Sequence, residues 1–414
     1  MPAMPSYAAF LGNHPSISCA ELSATIPDFQ LKKLLGNSIA VFESALPLSS
    51  KDLKKWGGVF LLAEQSETKA RSTDDIVHVL VKEVEGLHGK VTFSLRAFGI
   101  ARPTLHTLYR ECKKALKKVG KPARYIGTER KPPVSALLLD SGVIDGKHGR
   151  ELVVLADEEK DFFWVGVSVA VQNPHHYTKL DMEKPVRDTR VGLLPPKLAQ
   201  ILLNLGLWMT STTKDKKQET RNKLTIFDPF CGTGVIPMEA LLRGWNVHAS
   251  DVSLKAVHGC EKNIEWIRKE WKILKRDAES RVSKQDATKP FDAALREHTN
   301  VIVTETTLGP ALSNRPTVRD AVKIRTECDA TELAFLKNAA ATMPGVPIVA
   351  TWPVWYVSTG PVFLEKVWKQ LGDLGYKAVL PPAIRTDNPG RTSLLYRRAE
   401  QIVGREIVLL RPLS

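Results

Sequence analysis

The stretch DPFCGTGVIPMEA, residues 228–240, constrains the fold of this chain more than any other. It follows the apolar run Leu224–Phe227, and its two glycines, Gly232 and Gly234, stand where a strand is expected to end and a helix to begin. Glycine lets a ligand approach the backbone closely and adopts torsions that a Cβ forbids. The stretch therefore predicts a strand–loop–helix unit with a ligand bound over the loop.

Strand and helix patterns alternate after this point, which indicates an α/β domain with a parallel sheet. An amphipathic helix is expected over 254–271, and LLPPKLAQILLNLG predicts an earlier helix that begins near Pro196 and ends near Gly206. The expected strands are Leu224–Phe227, Val247–Ala249, Val301–Val303, Pro347–Thr351, Lys377–Leu380 and Ile402–Leu410.

Three acids stand at the expected strand ends, where an open parallel sheet binds its ligand. Asp251 can accept hydrogen bonds from ribose hydroxyls, Asp286 can accept from an adenine amino group, and Asp228 suits an ammonium group. A ligand with an amino acid, a ribose and an adenine but no phosphate fits this set, and S-adenosylmethionine is such a ligand. The plain alternative is that these are ordinary turn and cap residues, because Asp and Gly are common in both.

The glycine spacing separates this site from a dinucleotide site. The dinucleotide motif is G-x-G-x-x-G, whereas this chain has D-x-x-x-G-x-G. An NAD-dependent oxidoreductase is therefore the rival interpretation and the less favoured one. The predicted S-adenosylmethionine contacts are Asp228, Phe230, Gly232, Gly234, Asp251, Val252, Asp286 and Ala287.

Composition narrows the class of protein. The 414 residues carry a net charge of +14, which attracts polyanions, nucleic acid first among them. The five cysteines are scattered without a C-x-x-C pair, so neither a metal site nor a disulfide framework is predicted. No apolar run has the length of a signal peptide or a membrane span. We expect a cytoplasmic protein with no membrane partner.

The first 170 residues read as a smaller α+β region. Strands are expected at Val134–Leu139, Leu152–Leu155 and Phe162–Val171, and apolar positions at helical spacing predict a helix over 105–119. The opposite face of that helix is basic and is our candidate RNA contact, although a merely solvated face is the plain alternative. Its predicted RNA-binding residues are Lys113, Lys114, Lys117 and Lys118.

Three segments together carry a family resemblance: RDTRVGLLPPKLAQILLNLG, FDPFCGTGVIPMEALLRGWNVHASDVS and LLYRRAEQIVGREIVLLRP. They resemble the THUMP-containing tRNA guanine-N2-methyltransferases that act on the position-10 guanosine. The resemblance implies an α/β fold, with a Rossmann-like class I methyltransferase sheet of strand order 3-2-1-4-5-7-6 and an antiparallel seventh strand. A smaller α+β ferredoxin-like and THUMP module for RNA binding would precede it.

The resemblance also implies the domain order and the partners. We expect a ferredoxin-like region at 1–70, a THUMP-like domain at 71–167, a linker at 168–195 and the methyltransferase domain at 196–414. The implied substrate is tRNA, the implied methyl donor is S-adenosylmethionine, and a small activator subunit is a further candidate partner.

The chain departs from the family at its catalytic signature, an Asp or Asn followed by Pro-Pro and an aromatic residue. The segment NVIVTETTLGP puts Glu305, Thr306 and Leu308 in that place, as the predicted catalytic residues. A carboxylate there can accept hydrogen bonds from an exocyclic amine, and the family's aromatic residue stacks on the base. Glu305 keeps the charge on a side chain one methylene longer, but Leu308 cannot stack as an aromatic ring does.

Several accounts of this departure stay open. The chain is an active enzyme with Glu305 contacting the amine, a methyltransferase for another nucleoside, a DNA amino-methyltransferase, or an RNA-binding protein with a vestigial cofactor site. Trp352, Trp355 and Tyr356 could supply a stacking surface, although such a cluster is more often part of a core. Cys231 lies beside the predicted cofactor but lacks an evident base.

Overall fold

The computed structural model describes residues 4–68, 70–128, 131–156, 163–188, 193–211, 223–386 and 388–413. The chain forms two compact units. The N-terminal unit comprises residues 1–15 and 26–177, and the C-terminal unit comprises residues 16–25 and 178–414. The helix α1, Pro15–Thr25, thus belongs almost entirely to the C-terminal unit.

The N-terminal unit is built on one eight-stranded sheet. Its strands are β1 Ser6–Leu11, β2 Gln30–Leu35, β3 Ile39–Glu43, β4 Val59–Gln65, β5 Val91–Phe98, β6 Ala123–Tyr125, β7 Gly149–Ala156 and β8 Phe163–Val171. Its helices are α2 Ser50–Leu53, α3 Thr73–Glu83, α4 Arg102–Lys118, α5 Ser135–Asp140 and α6 Pro174–Thr178. The strand order is β2-β3-β1-β4-β8-β7-β5-β6. The expected boundary at residue 70 does not interrupt this sheet, because β4 pairs with β8.

One strand expected in this unit is wrong. The segment Val134–Leu139 is not extended; it forms the helix α5 instead, with Leu138 fully buried while Leu137 and Leu139 stay exposed. A short apolar run does not by itself distinguish a strand from one or two turns of helix, since both can bury part of it. The expected strands over 152–155 and 162–171 correspond to β7 and β8, although residue 162 lies outside the described residues.

The C-terminal unit contains a second sheet with helices on both faces. Its strands are β9 Thr225–Asp228, β10 Asn246–Asp251, β11 Ser280–Lys284, β12 Val301–Glu305, β13 Ile348–Val357, β14 Gly360–Val362, β15 Tyr376–Ala378, β16 Leu394–Tyr396 and β17 Val403–Pro412. Its helices are α7 Pro196–Ser211, α8 Val235–Leu242, α9 Leu254–Trp271, α10 Ala293–His298, α11 Val318–Thr342 and α12 Glu365–Lys369, with a π-helical turn at Lys179–Glu183.

The strand order of this sheet is β11-β10-β9-β12-β13-β17-β15, with β14 and β16 pairing at its side. The five strands β11, β10, β9, β12 and β13 run parallel to one another, and β17 is antiparallel to both β13 and β15. Numbered along the chain, this is the expected order 3-2-1-4-5-7-6 with a reversed seventh strand. One apolar core joins α7, α8 and α9 to one face of the sheet, and a second joins α11 and α12 to the other.

Helix α7 is longer than the sequence predicts. It was expected to end near Gly206, but it continues to Ser211. A Cβ at position 206 would lie 2.8 Å from Cγ2 of Val303, so the glycine lets the helix pack closely on β12. The prediction was wrong because a glycine that serves helix packing looks the same in sequence as one that ends a helix.

Strand β17 carries a buried ion pair that holds the segment before it. The Glu406 carboxylate accepts two hydrogen bonds from Arg391, at 2.6 Å from Nε and 2.8 Å from Nη2, and others from Ser393 and Asn388. Arg391 also lies over the Trp368 ring, 4.2 Å from its centroid. These contacts fix residues 388–393 and the adjoining β16 against β17.

Replacing Arg391 by Met should destabilise the C-terminal unit by about 3–5 kcal/mol, because Glu406 would stay buried without its counter-ion. The double variant R391M/E406L should lose less than Arg391→Met alone, since it removes both charges. Urea unfolding followed by tryptophan fluorescence measures both. A double variant no more stable than the single one would contradict this account of the pair.

Candidate active site

A cavity of about 720 Å³ opens at the carboxyl edge of the C-terminal sheet. Its volume lies in the ordinary range for small-molecule and cofactor sites. Most of the predicted site residues line it, because parallel strands bring their carboxyl ends to the same edge. The predicted residues in its lining are Asp228, Phe230, Gly232, Asp251, Val252, Asp286, Ala287, Glu305, Thr306 and Leu308.

The two glycines of the motif have different surroundings. Gly232 has a φ of +50°, and a Cβ there would meet nothing within 4 Å, so this part of the loop is open to the cavity. Gly234 does not line the cavity. It caps α8 with a φ of +86°, and a Cβ there would lie 2.6 Å from Sγ of Cys260, so it lets α8 pack on α9.

Asp228 is the most deeply buried acid of the site, with 1% of its surface exposed. Its Oδ1 accepts a hydrogen bond of 2.6 Å from the Thr304 hydroxyl and one of 3.3 Å from the Phe230 N–H. Burial raises the pKa of Asp228 to about 8, and the neighbouring charges of Asp251 and Glu305 contribute to the rise. Asp228 therefore ties β9 to β12 and the glycine loop, and offers little negative charge to a ligand near neutral pH.

Asp251 organises the glycine loop from the end of β10. Its Oδ2 accepts a 3.0 Å hydrogen bond from the Gly232 N–H, and its Oδ1 accepts one of 2.9 Å from the Ser253 N–H. A carboxylate has about four acceptor positions, so two backbone bonds leave capacity for a ligand's hydroxyls.

Asp286 stands after β11. The hydroxyl and the backbone N–H of Thr288 both donate to its Oδ1, at 2.7 Å and 2.9 Å. These two hydrogen bonds lower the pKa of Asp286, so it stays ionised at neutral pH. The side chain is thus held as an acceptor at the edge of the cavity.

Glu305 ends β12 and forms an ion pair that the sequence analysis missed. The Arg405 Nε, on β17, donates to the Glu305 Oε1 in a short contact. The Arg405 side chain is 2% exposed, whereas the Glu305 side chain is 15% exposed and borders the cavity. Glu305 is level with Thr351 on β13, and Arg405 is level with Pro353, two residues farther out. The Glu305 side chain thus extends across β13, toward the carboxyl end of that strand, to contact Arg405 on β17.

The remaining catalytic candidates also lie at this edge. The Thr306 hydroxyl donates 2.9 Å to the Thr351 carbonyl, and Leu308 lines the cavity half-buried. Trp352 and Trp355 are fully buried and belong to the core, the more common fate of such a cluster. Tyr356 is half-buried beneath the Arg397 guanidinium, which lies 3.7 Å from its ring centroid.

The strand order, with a reversed seventh strand and a cavity at the ends of the first, second and fourth strands, is the arrangement expected from the family resemblance. The C-terminal unit has the class I methyltransferase fold. A family model described as conserved hypothetical protein 95 matches residues 214–295, which contain the glycine motif, Asp251 and Asp286. The match thus covers the part of the chain that carries the glycine motif of the family resemblance.

Solved structures of methyltransferases are similar to this chain. TrmN from Thermus thermophilus shares 15% identity, with 99% of this chain and 100% of that chain covered and a TM-score of 0.48. Magnesium protoporphyrin IX methyltransferase from Synechocystis, solved with SAM bound, shares 13%, covering 52% and 79%, with a TM-score of 0.32. An rRNA methylase from Streptococcus thermophilus shares 14%, covering 51% and 97%, with a TM-score of 0.29.

One wall of this cavity comes from the segment 168–195, which is expected to be a linker. Val186, Arg187 and Asp188 line the cavity. Asn263 on α9 holds this segment, because its Oδ1 accepts from the Val186 N–H and its Nδ2 donates to the Val186 carbonyl, both at 2.9 Å. The Asp188 carboxylate pairs with Lys255 Nζ at 2.9 Å. The only sequence signal was that RDTRVG belongs to the family resemblance.

The donors and acceptors around the methyltransferase cavity fit S-adenosylmethionine. The side-chain-free surface at Gly232 admits the ligand, Asp251 and Asp286 offer acceptors for ribose hydroxyls and an adenine amine, and the acidic surroundings suit a sulfonium cation. Arg187, Asp188 and Lys255 at the wall are charged groups that sequence reasoning did not include.

The predicted RNA-binding lysines lie in the other unit. Lys113, Lys114, Lys117 and Lys118 are all exposed on α4, whose buried face consists of Leu108, Cys112 and Leu116. Lys114 forms an ion pair of 2.8 Å with Glu111 of the same helix. Among the described residues, no helix is long and apolar enough to cross a membrane.

Replacing Asp251 by Ala should weaken S-adenosylmethionine binding by about 1–3 kcal/mol, because the acceptor for the ribose and for two backbone N–H groups is lost. Asp251→Asn, which keeps one carbonyl oxygen, should lose less. Calorimetric titration with S-adenosylmethionine measures both variants, with Asp373→Ala, an exposed acid of the same unit, as the control. Undiminished affinity in Asp251→Ala would show that Asp251 does not contact S-adenosylmethionine.

Proposed function

We propose that this chain is an S-adenosylmethionine-dependent methyltransferase that methylates the exocyclic N2 of a guanosine in tRNA. The observation that carries the proposal is the ion-paired Glu305 carboxylate at the border of the cavity, beside the acids of the cofactor site. The binding of S-adenosylmethionine to this chain, through the contacts predicted from the sequence, is part of the proposal.

The choice of base rests on what a carboxylate can recognise. An ionised carboxylate only accepts hydrogen bonds, and Arg405 already supplies a cation to Glu305. The Watson–Crick edge of guanine presents two adjacent donors, the ring N1–H and the N2 amine. Adenine and cytosine each pair their amine with a ring-nitrogen acceptor, which would face the carboxylate unfavourably. Glu305 therefore favours guanine among the bases with exocyclic amines.

The chain's own residues would prepare the amine for reaction. The lone pair of an exocyclic amine is delocalised into the ring, so the amine is a poor nucleophile. A carboxylate that accepts its N–H bond stabilises the positive charge that develops on the nitrogen. Because the target base must enter a cavity at the carboxyl edge of the sheet, it has to leave its stack. When bound, S-adenosylmethionine supplies the methyl group as an activated sulfonium substituent.

Arg405 takes the place of the rigid prolines that this chain lacks. The buried guanidinium fixes one Glu305 oxygen, which leaves Oε2 for the substrate amine. This contact would explain why a glutamate stands here instead of a shorter aspartate, because the side chain must reach Arg405 on β17. Leu308 supplies an apolar surface against the base in place of an aromatic ring.

We also infer that the N-terminal unit docks the tRNA, as the THUMP-like module of the resemblance would. The supporting observations are the exposed lysines of α4 and the net charge of +14. The enzyme would then recognise tRNA mainly through its backbone, because phosphate contacts position a nucleic acid and carry no sequence information themselves.

Replacing Glu305 by Gln should retain S-adenosylmethionine binding and lower the rate of methyl transfer by about 100–1,000-fold, the usual loss when one charge-stabilising group is removed. If the amide oxygen of the substituted side chain accepts from Arg405, the amide NH2 faces the substrate amine. Both groups are hydrogen-bond donors, so the contact with the amine is lost. Glu305→Asp should lose roughly 100-fold, because the shorter acid cannot reach both partners.

The assay for these variants is transfer of labelled methyl groups to tRNA, followed by mass spectrometry of the nucleosides. Glu297→Gln, an exposed glutamate of the same unit, is the matched control and should keep full activity. A wild-type protein that binds S-adenosylmethionine but methylates no tRNA of its host would overturn the enzyme proposal in favour of an RNA-binding protein.

Replacing Lys113, Lys114, Lys117 and Lys118 together by Glu should weaken tRNA binding. The slope of log affinity against log salt should fall by up to about 3.5, since each of the four lost phosphate contacts removes roughly 0.7–0.9. Fluorescence anisotropy with a labelled tRNA over a range of KCl concentrations measures it. An unchanged slope would mean that the basic face of α4 is only solvated.

A further inference from the structure

The segment that follows Glu305 leads into a row of exposed cations. We name Arg315, Arg319 and Lys323 the α11 cation row. Arg315 lies in the loop before α11, and the other two lie on the helix, all three with exposed side chains. In the part of the chain that the structure describes, none of the three makes an ion pair or a side-chain hydrogen bond.

The row has a defined geometry. Arg319 and Lys323 are four residues apart, so they lie on the same face of α11, about 6 Å apart along the helix axis. The acid between them, Asp320, is occupied at the helix start, where its Oδ2 accepts a 2.7 Å hydrogen bond from the Thr317 hydroxyl. The first two turns of α11 therefore present positive charge that no neighbouring acid among the described residues pairs with.

Contacts place α11 directly beside the candidate active site. The loop after Glu305 turns at Gly309 with a φ of +80°, and a Cβ there would lie only 2.7 Å from Cγ2 of Ile324, next to Lys323 in the helix. Two turns later, Thr331 lines the methyltransferase cavity. The same helix thus supports the catalytic loop, borders the cavity and carries the cation row.

We propose that the α11 cation row binds the phosphates of the RNA strand that flanks the methylated nucleotide. This inference rests on the proposed function, since it takes RNA as the substrate of the cavity. A nucleotide drawn into the cavity brings its own phosphates and those of its neighbours to the cavity mouth. Their negative charge must be met there, and unpaired arginine and lysine side chains on a rigid helix are suited to this. The occupant is an RNA strand, not an acidic protein surface.

The matched control lies on the opposite face of the sheet. Lys262 and Lys269 of α9, together with Lys275 just after it, are three exposed lysines of the same unit. Helix α9 packs in the core on one face of the sheet, whereas α11 packs in the core on the other. Neutralising this second set removes the same charge from the chain without touching the proposed surface.

The first test compares two triple variants of the full chain by anisotropy with an unmodified tRNA transcript in increasing KCl. Arg315→Gln, Arg319→Gln and Lys323→Gln together should lower the slope of log affinity against log salt by roughly 2, at about 0.7 for each single-strand phosphate contact. Lys262→Gln, Lys269→Gln and Lys275→Gln together should change the slope by less than about 0.35, which is half the value for one contact. Equal slopes in the two triple variants would overturn the proposal.

The second test locates the strand. All five natural cysteines are buried, so Lys323→Cys provides a single exposed thiol for an iron–EDTA tether that cleaves nearby RNA. Cleavage should fall within a few nucleotides of the methylated guanosine, and a tether at Lys269→Cys should not cut there. Cleavage at a distant part of the tRNA, or none, would overturn the proposal.

The two tests also separate this inference from the proposed function. If the wild-type protein transfers no methyl group, the proposed function fails, yet a salt slope that depends on the α11 cation row still supports the surface as an RNA contact. If methyl transfer proceeds normally in the α11 triple variant with an unchanged affinity for tRNA, the proposed function stands and the surface is refuted. Competition by an acidic polypeptide but not by RNA would likewise refute it.

Discussion

The crowding of carboxylates at one edge of a parallel sheet is the constraint on which the rest of this site depends. Because β9, β10 and β12 run in the same direction, the acids at their ends meet around one cavity. Each is stabilised differently. Asp228 is buried against Thr304, Asp251 accepts from two backbone N–H groups, and Glu305 pairs with Arg405. The result is a pocket in which each acid has a different set of partners.

The positions of most cavity residues could be predicted from the sequence because they depend only on local patterns. A glycine loop after a strand, and an acid after each of the next strands, must meet if the sheet is parallel. The helices α4 and α9 and the main strands were predictable from their periodicity for the same reason. Local patterns were misleading at two places. Gly206 allows close helix packing but looks in sequence like a glycine that ends a helix, and the apolar run of α5 is too short to distinguish a helix from a strand.

Contacts between distant parts of the chain could not be predicted. Arg405 lies 100 residues from Glu305, and the sequence around either residue does not indicate that the two form a pair. The adjacent charges Arg405 and Glu406, directly before the apolar run Ile407–Leu410, indicate buried partners without identifying them. The attachment of Val186 to Asn263, 77 residues apart, was equally hidden, so the contribution of this segment to the cavity wall could not be predicted. Such pairs follow from the packing of the whole sheet.

The distance along the chain between Glu305 and Arg405 has a consequence for the order of synthesis. At about 5–20 residues per second, roughly 5–20 s pass between the appearance of the acid and that of its counter-ion on the ribosome. During that time the strands on either side of the glycine loop have been synthesised, but Glu305 lacks its counter-ion. Since adjacent residues of a strand point to opposite faces, a shift of β17 by one residue would then bring Glu406 into the place of Arg405. Glu305 therefore gains its counter-ion only when β17 pairs with β13 in the correct register.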